Sequence, residues 1–352
     1  MRPVHLVLPN DIDDPRRPSG GNSYDRRVSD GLRGLGRPVH EHSVRGPWPD
    51  LDTESCRALE LTLAGLPRGA VVVVDGLLGS AGEVLAAHGR RLRLVVLVHL
   101  PLGPGSGEGR TLAAAVAALT TSRWTARWLL EHYPLDERRV HVAAPGVDPA
   151  PPTRRSPGGV RLLCVGAVTP VKGQDLLVEA LHGVRDLEWR ACLVGSTEVD
   201  PAYAALVRQQ VERLGLGDRV RLTGPLTGER LAAAYAGADL LLAPSRQESY
   251  GMTIVEALAR GLPVLAADVD GVPESLGRGL DGVLPGALLD PHDVSAWTAA
   301  LRGWLTGPDL RRALRGAASS RRGQLRGWDD TVRLVARVLE RVESEEVVAW
   351  TR

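Results

Sequence analysis

The chain has 352 residues, a formal net charge of +1 and 43% apolar residues. That length allows two or three domains of ordinary size, and the apolar share supports buried cores rather than disorder. Near-neutral charge, with 20 Arg against 17 acids in residues 1–155 and 23 basic against 25 acidic residues in the rest, lacks the basic stripe of a dedicated nucleic-acid binder, and no apolar run reaches the roughly 18–20 residues of a membrane span.

The segment Val4–Leu8 reads as a first strand. The apolar run is too short for a secretory leader and meets acids at once, so a cytoplasmic protein is expected. Helices are predicted over Ser23–Gly34, Thr53–Ala64, Ala81–Ala87 and Ser122–His132. Strands are predicted over Ala70–Val74, Leu94–Val98 and Val140–Ala143. Gly103–Gly109, with four glycines, reads as a flexible loop. Arg123-Trp124 and Arg127-Trp128 repeat at i, i+4, which suits a packed tryptophan pair with solvated arginines. Pro149–Gly159, with four prolines, reads as a linker.

The alternation then restarts. Strands are expected at Arg161–Val165, Arg190–Val194, Val220–Leu222, Leu240–Ala243 and Val264–Ala266. Helices fit Gln174–Leu181, Ala202–Leu214, Gly228–Ala236, Thr253–Ala259, His292–Trp304 and Thr331–Glu343. Short apolar runs alternating with crossover helices make an α/β chain, with two Rossmann-like parallel-sheet domains facing a cleft. The boundaries expected are 1–155, 156–325 and a terminal helical segment 326–352 that returns towards the first domain and couples closure. The three cysteines, Cys56, Cys164 and Cys192, are too scattered for a metal site or a disulfide frame. Cys164 and Cys192 lie in strand-like runs and are expected to be buried thiols.

Ligands of such sheets bind beyond the carboxyl ends of the strands, so the chemistry is sought there. Lys172 is the lone lysine of a chain rich in arginine, and it sits between a strand ending at Gly166 and a helix. From that loop it can reach phosphate as a point charge. The next strand ends in Gly195-Ser196, and Thr223-Gly224-Pro225-Leu226 follows another. Glycines there let the backbone approach a base or sugar, though turn glycines look the same. The segment Ala243–Ala257 runs strand, loop, helix. Glu248 and Glu256 bracket Tyr250, Gly251, Met252 and Thr253, whose N–H groups at the helix start suit an anion. A Walker A loop is absent, since Lys172 is followed by Gly173. Gly277–Gly282 matches G-x-G-x-x-G but precedes a strand-like run, so it is no dinucleotide site.

Glu248-x7-Glu256, Pro244-Ser245, the run Ala257–Val264, Gly271-Val272-Pro273-Glu274, Pro170-Val171-Lys172-Gly173 and Pro145-Gly146-Val147-Asp148 together resemble the signature of the family 4 retaining glycosyltransferases of the GT-B fold. The likeness is dense over 140–276 and thinner before it. It implies that Lys172 holds a donor diphosphate, Glu256 the ribose hydroxyls and Glu248 the donor sugar. The N–H groups from Tyr250 to Thr253 would meet sugar and phosphate, and Gly224, Pro225 and Leu226 would lie near the base. Many members carry Arg after the glycine matching Gly166, and here Ala167 stands instead. Pro18-Ser19-Gly20-Gly21-Asn22 resembles the family's glycine-rich phosphate loop, with Asn22 also a good helix N-cap. His99, at a strand's carboxyl end, matches a cleft histidine expected to orient the donor sugar.

The resemblance implies an enzyme, a hexosyltransferase that moves a hexose-type sugar with retention from a UDP- or GDP-sugar to an unidentified small-molecule or glycoside acceptor. Catalytic roles fall on His99, Lys172 and Glu248. Donor contacts fall on Gly20, Gly21, Asn22, Gly166, Lys172, Gly195, Gly224, Pro225, Leu226, Glu248, Tyr250, Gly251, Met252, Thr253 and Glu256. No metal, no cofactor beyond the donor and no nucleic acid are expected, and nothing indicates a membrane. The alternatives are a nucleotide-sugar 2-epimerase of the same fold and a non-catalytic nucleotide-sugar-binding protein.

Overall fold

The computed structural model describes residues 2–10 and 12–344. The chain divides into two compact units, one made of the described residues of 1–13, 21–146 and 328–352, the other of 14–20 and 147–327. The division falls after Gly146 rather than within 149–159. The proline-rich segment is no free linker, because Thr153 N–H donates to the Arg260 carbonyl and Arg154 N–H to the Ala236 carbonyl. Both bonds strap it to the second unit. The part of the expected terminal segment beyond residue 344 lies outside the described residues.

In the first unit, strands β1 (Val4–Pro9), β2 (Val39–Val44), β3 (Val71–Asp75), β4 (Arg93–Val98), β5 (Ala117–Thr120) and β6 (Val140–Val142) form one sheet in the order β2-β1-β3-β4-β5-β6, and every pairing is parallel. Helices α1 (Gly20–Gly34), α2 (Thr53–Ala64), α3 (Gly82–His88), α4 (Glu108–Ala114) and α5 (Arg123–His132) are the crossovers. β1 and β3 are buried along their whole length, as a central parallel strand covered on both faces must be. The strand order reverses between β1 and β3. That reversal opens a crevice at the carboxyl ends of the strands.

The second unit repeats the plan with β7 (Arg161–Val165), β8 (Arg190–Val194), β9 (Val220–Gly224), β10 (Leu240–Ala243), β11 (Val264–Ala267) and β12 (Gly286–Leu289), in the order β12-β11-β10-β7-β8-β9. Its helices are α6 (Gln174–His182), α7 (Pro201–Arg213), α8 (Gly228–Gly237), α9 (Met252–Leu258), α10 (Val272–Leu276), α11 (Val294–Thr306) and α12 (Pro308–Arg322). Here the order reverses between β7 and β10. The loop after β7 carries Lys172 and the loop after β10 carries Glu248. The expected α/β class with two doubly wound parallel sheets is therefore what the chain adopts.

The last helix, α13 (Trp328–Ser344), belongs to the first unit. Its Val332, Val335, Leu339 and Val342 recur at three- and four-residue spacing and pack with Val4, Leu6, Tyr24 and Leu32 in one apolar core. Arg93 Nη1 donates to the carbonyls of Val342 and Glu343 at 2.7 and 2.5 Å, covering acceptors that a helix end leaves unpaired.

Three strands and three helices differ from the sequence expectation. β2 reads Val-His-Glu-His-Ser-Val, too polar to announce itself, because it is an edge strand and half exposed. β5 and β12 are four-residue strands, α4 and α10 are helices of seven and five residues, and α12 is rich in arginine. The predicted flexible loop is pinned. Glu108, which opens α4, is fully buried and accepts from the N–H groups of Leu102 and Gly103 and from the Tyr133 hydroxyl. Cys164 is buried as expected, whereas Cys192 is only half buried.

The β1–β2 edge stacks three histidines. The His5 ring lies 5.2 Å from both His40 and His42, and His5 Nδ1 is 2.9 Å from His42 Nε2. Burial, and then the neighbouring histidines, lower the pKa of His5 and of His42. The folded state thus prefers the neutral rings. Their contribution to stability is complete above the unfolded value near 6.5 and is lost as pH falls below it. We expect the melting temperature to drop on acidification from pH 7 to 5, and His42→Gln to reduce that drop by about 2–4 °C. Melting curves at both pH values check this, and an equal drop in the variant would count against it.

Candidate functional site

The second unit brings two loops together at its switch point. Gly166, at the end of β7, passes its N–H to the Val194 carbonyl, and Gly195 passes its own to the Gly224 carbonyl. The three glycines thus line up at the ends of three neighbouring strands. A Cβ on Gly195 would stand 1.8 Å from the Gly166 carbonyl oxygen, so that position accepts no side chain. Pro225 and Leu226 continue from the same edge, both half buried.

Lys172 lies in a short 3₁₀ turn, Pro170–Lys172, that ends at Gly173 in the left-handed region. A Cβ at Gly173 would meet the Pro244 carbonyl oxygen at 2.2 Å, which is how the lysine loop comes to lie on the loop after β10. A backbone bond from Arg246 N–H to the Val171 carbonyl fastens the two. Across this seam Lys172 Nζ pairs with Glu248 Oε2, with 31% and 19% of their side chains exposed. Asp270, which the sequence reading missed, and Gly271 of the Gly-Val-Pro-Glu turn hold the glutamate. Asp270 Oδ2 accepts the Glu248 N–H at 2.9 Å, and Gly271 N–H donates to the Glu248 carbonyl at 3.1 Å. Asp270 takes a positive φ of 47° to do so. Its carboxyl is pushed up by burial first and by the Glu248 charge in addition.

Gly251 caps α9 with φ 89°, and Ile254 and Val255 turn their N–H groups back to its carbonyl. Met252 and Thr253 therefore precede the first closed turn, the part of a helix whose N–H groups suit an anion. Tyr250 is mostly buried, and burial, then Glu274, pushes its phenol up to about 12. Glu256 sits one turn further on. Its Oε2 accepts from the Tyr235 hydroxyl at 2.8 Å, and Arg260 lies 4.8 Å over the Tyr235 ring. Tyr235, buried on α8, was invisible to spacing arguments because it comes from another element. The cation missing at Ala167 is not replaced by Arg246, whose guanidinium is bound in a fork by Asp175 at 2.9 Å. The Gly277–Gly282 segment leads into β12 and opens no helix.

The first unit gathers a second group of residues at its own switch point. His99 follows β4, Asp75 ends β3 and Asp25 lies on α1. His99 Nε2 is 2.9 Å from Asp25 Oδ1 and 3.5 Å from Asp75 Oδ2. Both carboxylates are almost wholly buried, while 18% of the histidine is exposed. Burial opposes a charged imidazole, but Asp25 and then Asp75 outweigh it and raise its pKa to about 10. Burial above all pushes Asp25 up to about 7. The donor atoms of the three lie within 4.8 Å of one another, so among the described residues this is the group that could hold a metal ion. Sequence spacing gave no sign of it, because the three residues come from a helix and two separate strand ends. Gly21 packs against the histidine, and a Cβ there would come within 3.3 Å of the ring. One expectation is corrected: α1 begins at Gly20, so Gly20, Gly21 and Asn22 form its first turn and Asn22 is no N-cap.

Two doubly wound parallel units, each with polar residues collected at the switch point of its sheet, define a GT-B protein. Residues 152–321 match the family described as Glycosyl transferases group 1. Over 247 residues the chain is 34% identical to the D-inositol 3-phosphate glycosyltransferase of Xylanimonas cellulosilytica, covering 65% of this chain and 58% of that protein. It thus spans less than two thirds of the length of the curated relatives it matches. The sucrose-phosphate synthase of Thermosynechococcus elongatus superimposes with a TM-score of 0.78 at 21% identity, covering 98% of this chain and all of that one. The Anabaena protein HepE, solved in complex with UDP and glucose, gives 0.74 at 18% identity, covering 97% and 100%. The chain belongs to the family 4 glycosyltransferases of the GT-B fold.

Proposed function

We propose that the protein is a retaining hexosyltransferase that uses a UDP- or GDP-sugar and passes the sugar to a small-molecule or glycoside acceptor. The observation that carries this reading is the Lys172–Glu248 pair at the second unit's switch point, beside the glycine-capped start of α9. A nucleotide sugar needs a cation for its diphosphate and a carboxylate for its sugar hydroxyls within reach of each other. The pair supplies both and holds them ready. That a relative in fold was solved with UDP and glucose supports a nucleotide-sugar donor.

When the bond from sugar to phosphate breaks, charge develops on the β-phosphate. Lys172, once its Glu248 partner turns to the sugar, and the N–H groups at Gly251–Thr253 would stabilise that charge, the contribution that usually dominates. Glu256 would accept hydrogen bonds from the ribose. Glu248, released from Lys172, would bind the transferred sugar, and His99 would orient that sugar through its ring. With retention, the departing phosphate would take the acceptor's proton. No divalent metal enters this scheme, and activity is expected to survive chelation by EDTA. Loss of activity that Mg²⁺ restores would instead make Asp25, Asp75 and His99 a metal site.

The test is a melting-temperature panel of UDP-, GDP-, ADP- and dTDP-sugars, since a ligand that binds the folded state raises stability by mass action. NMR of the best donor follows, with and without candidate acceptors. Transfer with retained anomeric configuration is expected. Epimerised sugar formed from donor alone would overturn the transferase reading in favour of an epimerase.

A further inference from the structure

The second unit holds a cavity of about 390 Å³ at the amino end of its sheet, away from Lys172 and Glu248 at the carboxyl end. Arg155 from the proline-rich strap and Arg311, Arg312 and Arg315 from α12 line it, with Ser319 beside them, and its lining contains no acidic residue. Two carboxylates lie nearby. Asp239 is buried and is shared by Arg161 at 3.0 Å and Arg315 at 3.6 Å, and Asp309 is exposed and pairs with Arg312. Five arginines thus share two carboxylates.

The walls are built rather than incidental. Arg311 is 9% exposed, and its Nη1 donates to the Trp304 and Leu305 carbonyls near the end of α11. Gly159, at φ 68°, makes room for its stem, because a Cβ there would stand 2.6 Å from Arg311 Cδ. The Arg315 guanidinium lies 5.5 Å over the buried Trp304 ring, and its Nε is buried with no hydrogen-bond partner. Arg155 Nη2 donates to Ser319 Oγ at 3.0 Å. Burial, and after it the charges of Arg155, Arg311 and Arg161, hold Arg315 below the usual arginine range in spite of Asp239. Like charges confined this way are relieved by an anion, and guanidinium forks match phosphate oxygens.

We propose that this cavity binds a phosphate or diphosphate group carried by a small soluble molecule, at a site distinct from that of the donor sugar. The recess admits a group of that size, and two of its four arginines are fixed by packing. Ligands of doubly wound sheets take the other end of the strands, so the two sites are independent, and this inference does not rest on the proposed activity.

Inorganic pyrophosphate is the probe, titrated by calorimetry at constant ionic strength into the full chain. The exposed pair Arg155→Gln with Arg312→Gln is the main variant, and Lys172→Ala removes the cation of the donor site. Loss of two charge-assisted contacts is expected to weaken pyrophosphate binding at least about tenfold in the double variant. Lys172→Ala should leave that binding in place. Melting curves confirm that both variants are folded. Binding that disappears with Lys172→Ala and persists in the double variant would overturn the proposal, and so would no measurable binding to wild type. Co-sedimentation with phosphatidylglycerol–phosphatidylcholine vesicles separates a lipid headgroup from a free phosphate. Vesicle binding that depends on Arg155 and Arg312, without pyrophosphate binding, would likewise overturn the assignment to a soluble ligand.

Discussion

Replacing Lys172 by alanine is expected to lower kcat by about 10²–10³-fold, the cost of losing one preorganised charge at a developing oxyanion. The protein should remain folded. Only part of each partner is buried, with 31% of the lysine and 19% of the glutamate exposed, so solvent screens the pair and its contribution to stability is small. What the substitution leaves behind is a half-buried carboxylate beside the place a diphosphate would occupy. That carboxylate repels the donor, so KM should rise as kcat falls. Lys172→Ala combined with Glu248→Ala separates the two effects. The double variant should regain donor affinity relative to Lys172→Ala without regaining turnover. Lys172→Arg should rescue only partly, because the lysine stem runs along Gly166, whose Cβ would already touch Lys172 Cδ at 3.5 Å, and a forked guanidinium does not replace a point charge there. Steady-state kinetics with the donor found in the melting panel, together with melting temperatures, check all three variants. An unchanged kcat for Lys172→Ala would remove this residue from the mechanism.

Much of this second-unit site was legible in the sequence because its parts are local. A strand, a short loop and a helix start occupy consecutive residues, so Lys172, Glu248, Gly251 and Glu256 could be found by reading along the chain. The same locality explains what was missed. Asp270 fixes Glu248 and Tyr235 fixes Glu256, yet each is about twenty residues away on a different element. Nothing in the local pattern of either residue marks it. The fold shows the same division. Buried strands such as Val71–Asp75 are continuous apolar runs and are recognised at once, whereas the edge strand Val39–Val44 carries two histidines and a glutamate and is not. Helix α12 is a further case. Its buried face is Arg311, Leu314, Ala317 and Ala318, with one large apolar residue among them, so no apolar stripe announces it in the sequence.

Replacing His99 by alanine is expected to destabilise the protein by about 3–5 kcal/mol at neutral pH, the range for breaking a buried charge pair from one side. The cause is not the lost ring alone. Asp25 is 1% exposed and Asp75 3%, and without the imidazolium two carboxylates face each other out of water. Asp25 Oδ2 already has no hydrogen-bond partner. One carboxylate must then take up a proton, at a cost that grows with pH. In the wild type, His99 has a folded pKa of about 10 against about 6.5 unfolded. Its contribution is therefore fully present below 6.5 and is lost as pH rises to 10. Asp25, raised to about 7, acts with the same sign, because the folded state keeps a proton that the unfolded chain gives up above pH 4. Wild-type stability should thus decline steadily from neutral to alkaline pH, a direction opposite to that set by the histidines of the β1–β2 edge in acid. Asp25→Asn divides the causes. It keeps a hydrogen-bonding group beside Nε2 while removing one charge, so His99 should titrate at lower pH and the alkaline loss should be smaller and complete at a lower pH. Urea unfolding at pH 7 and 9.5, with the imidazole followed by NMR, measures both quantities. A histidine titrating near 6.5 would dismantle this account, and with it the ground for proposing that His99 would act as a charged, oriented donor rather than a base. An imidazolium held to about pH 10 has no lone pair to accept a proton at neutrality, so in the proposed transfer the acceptor's proton would have to leave by another group.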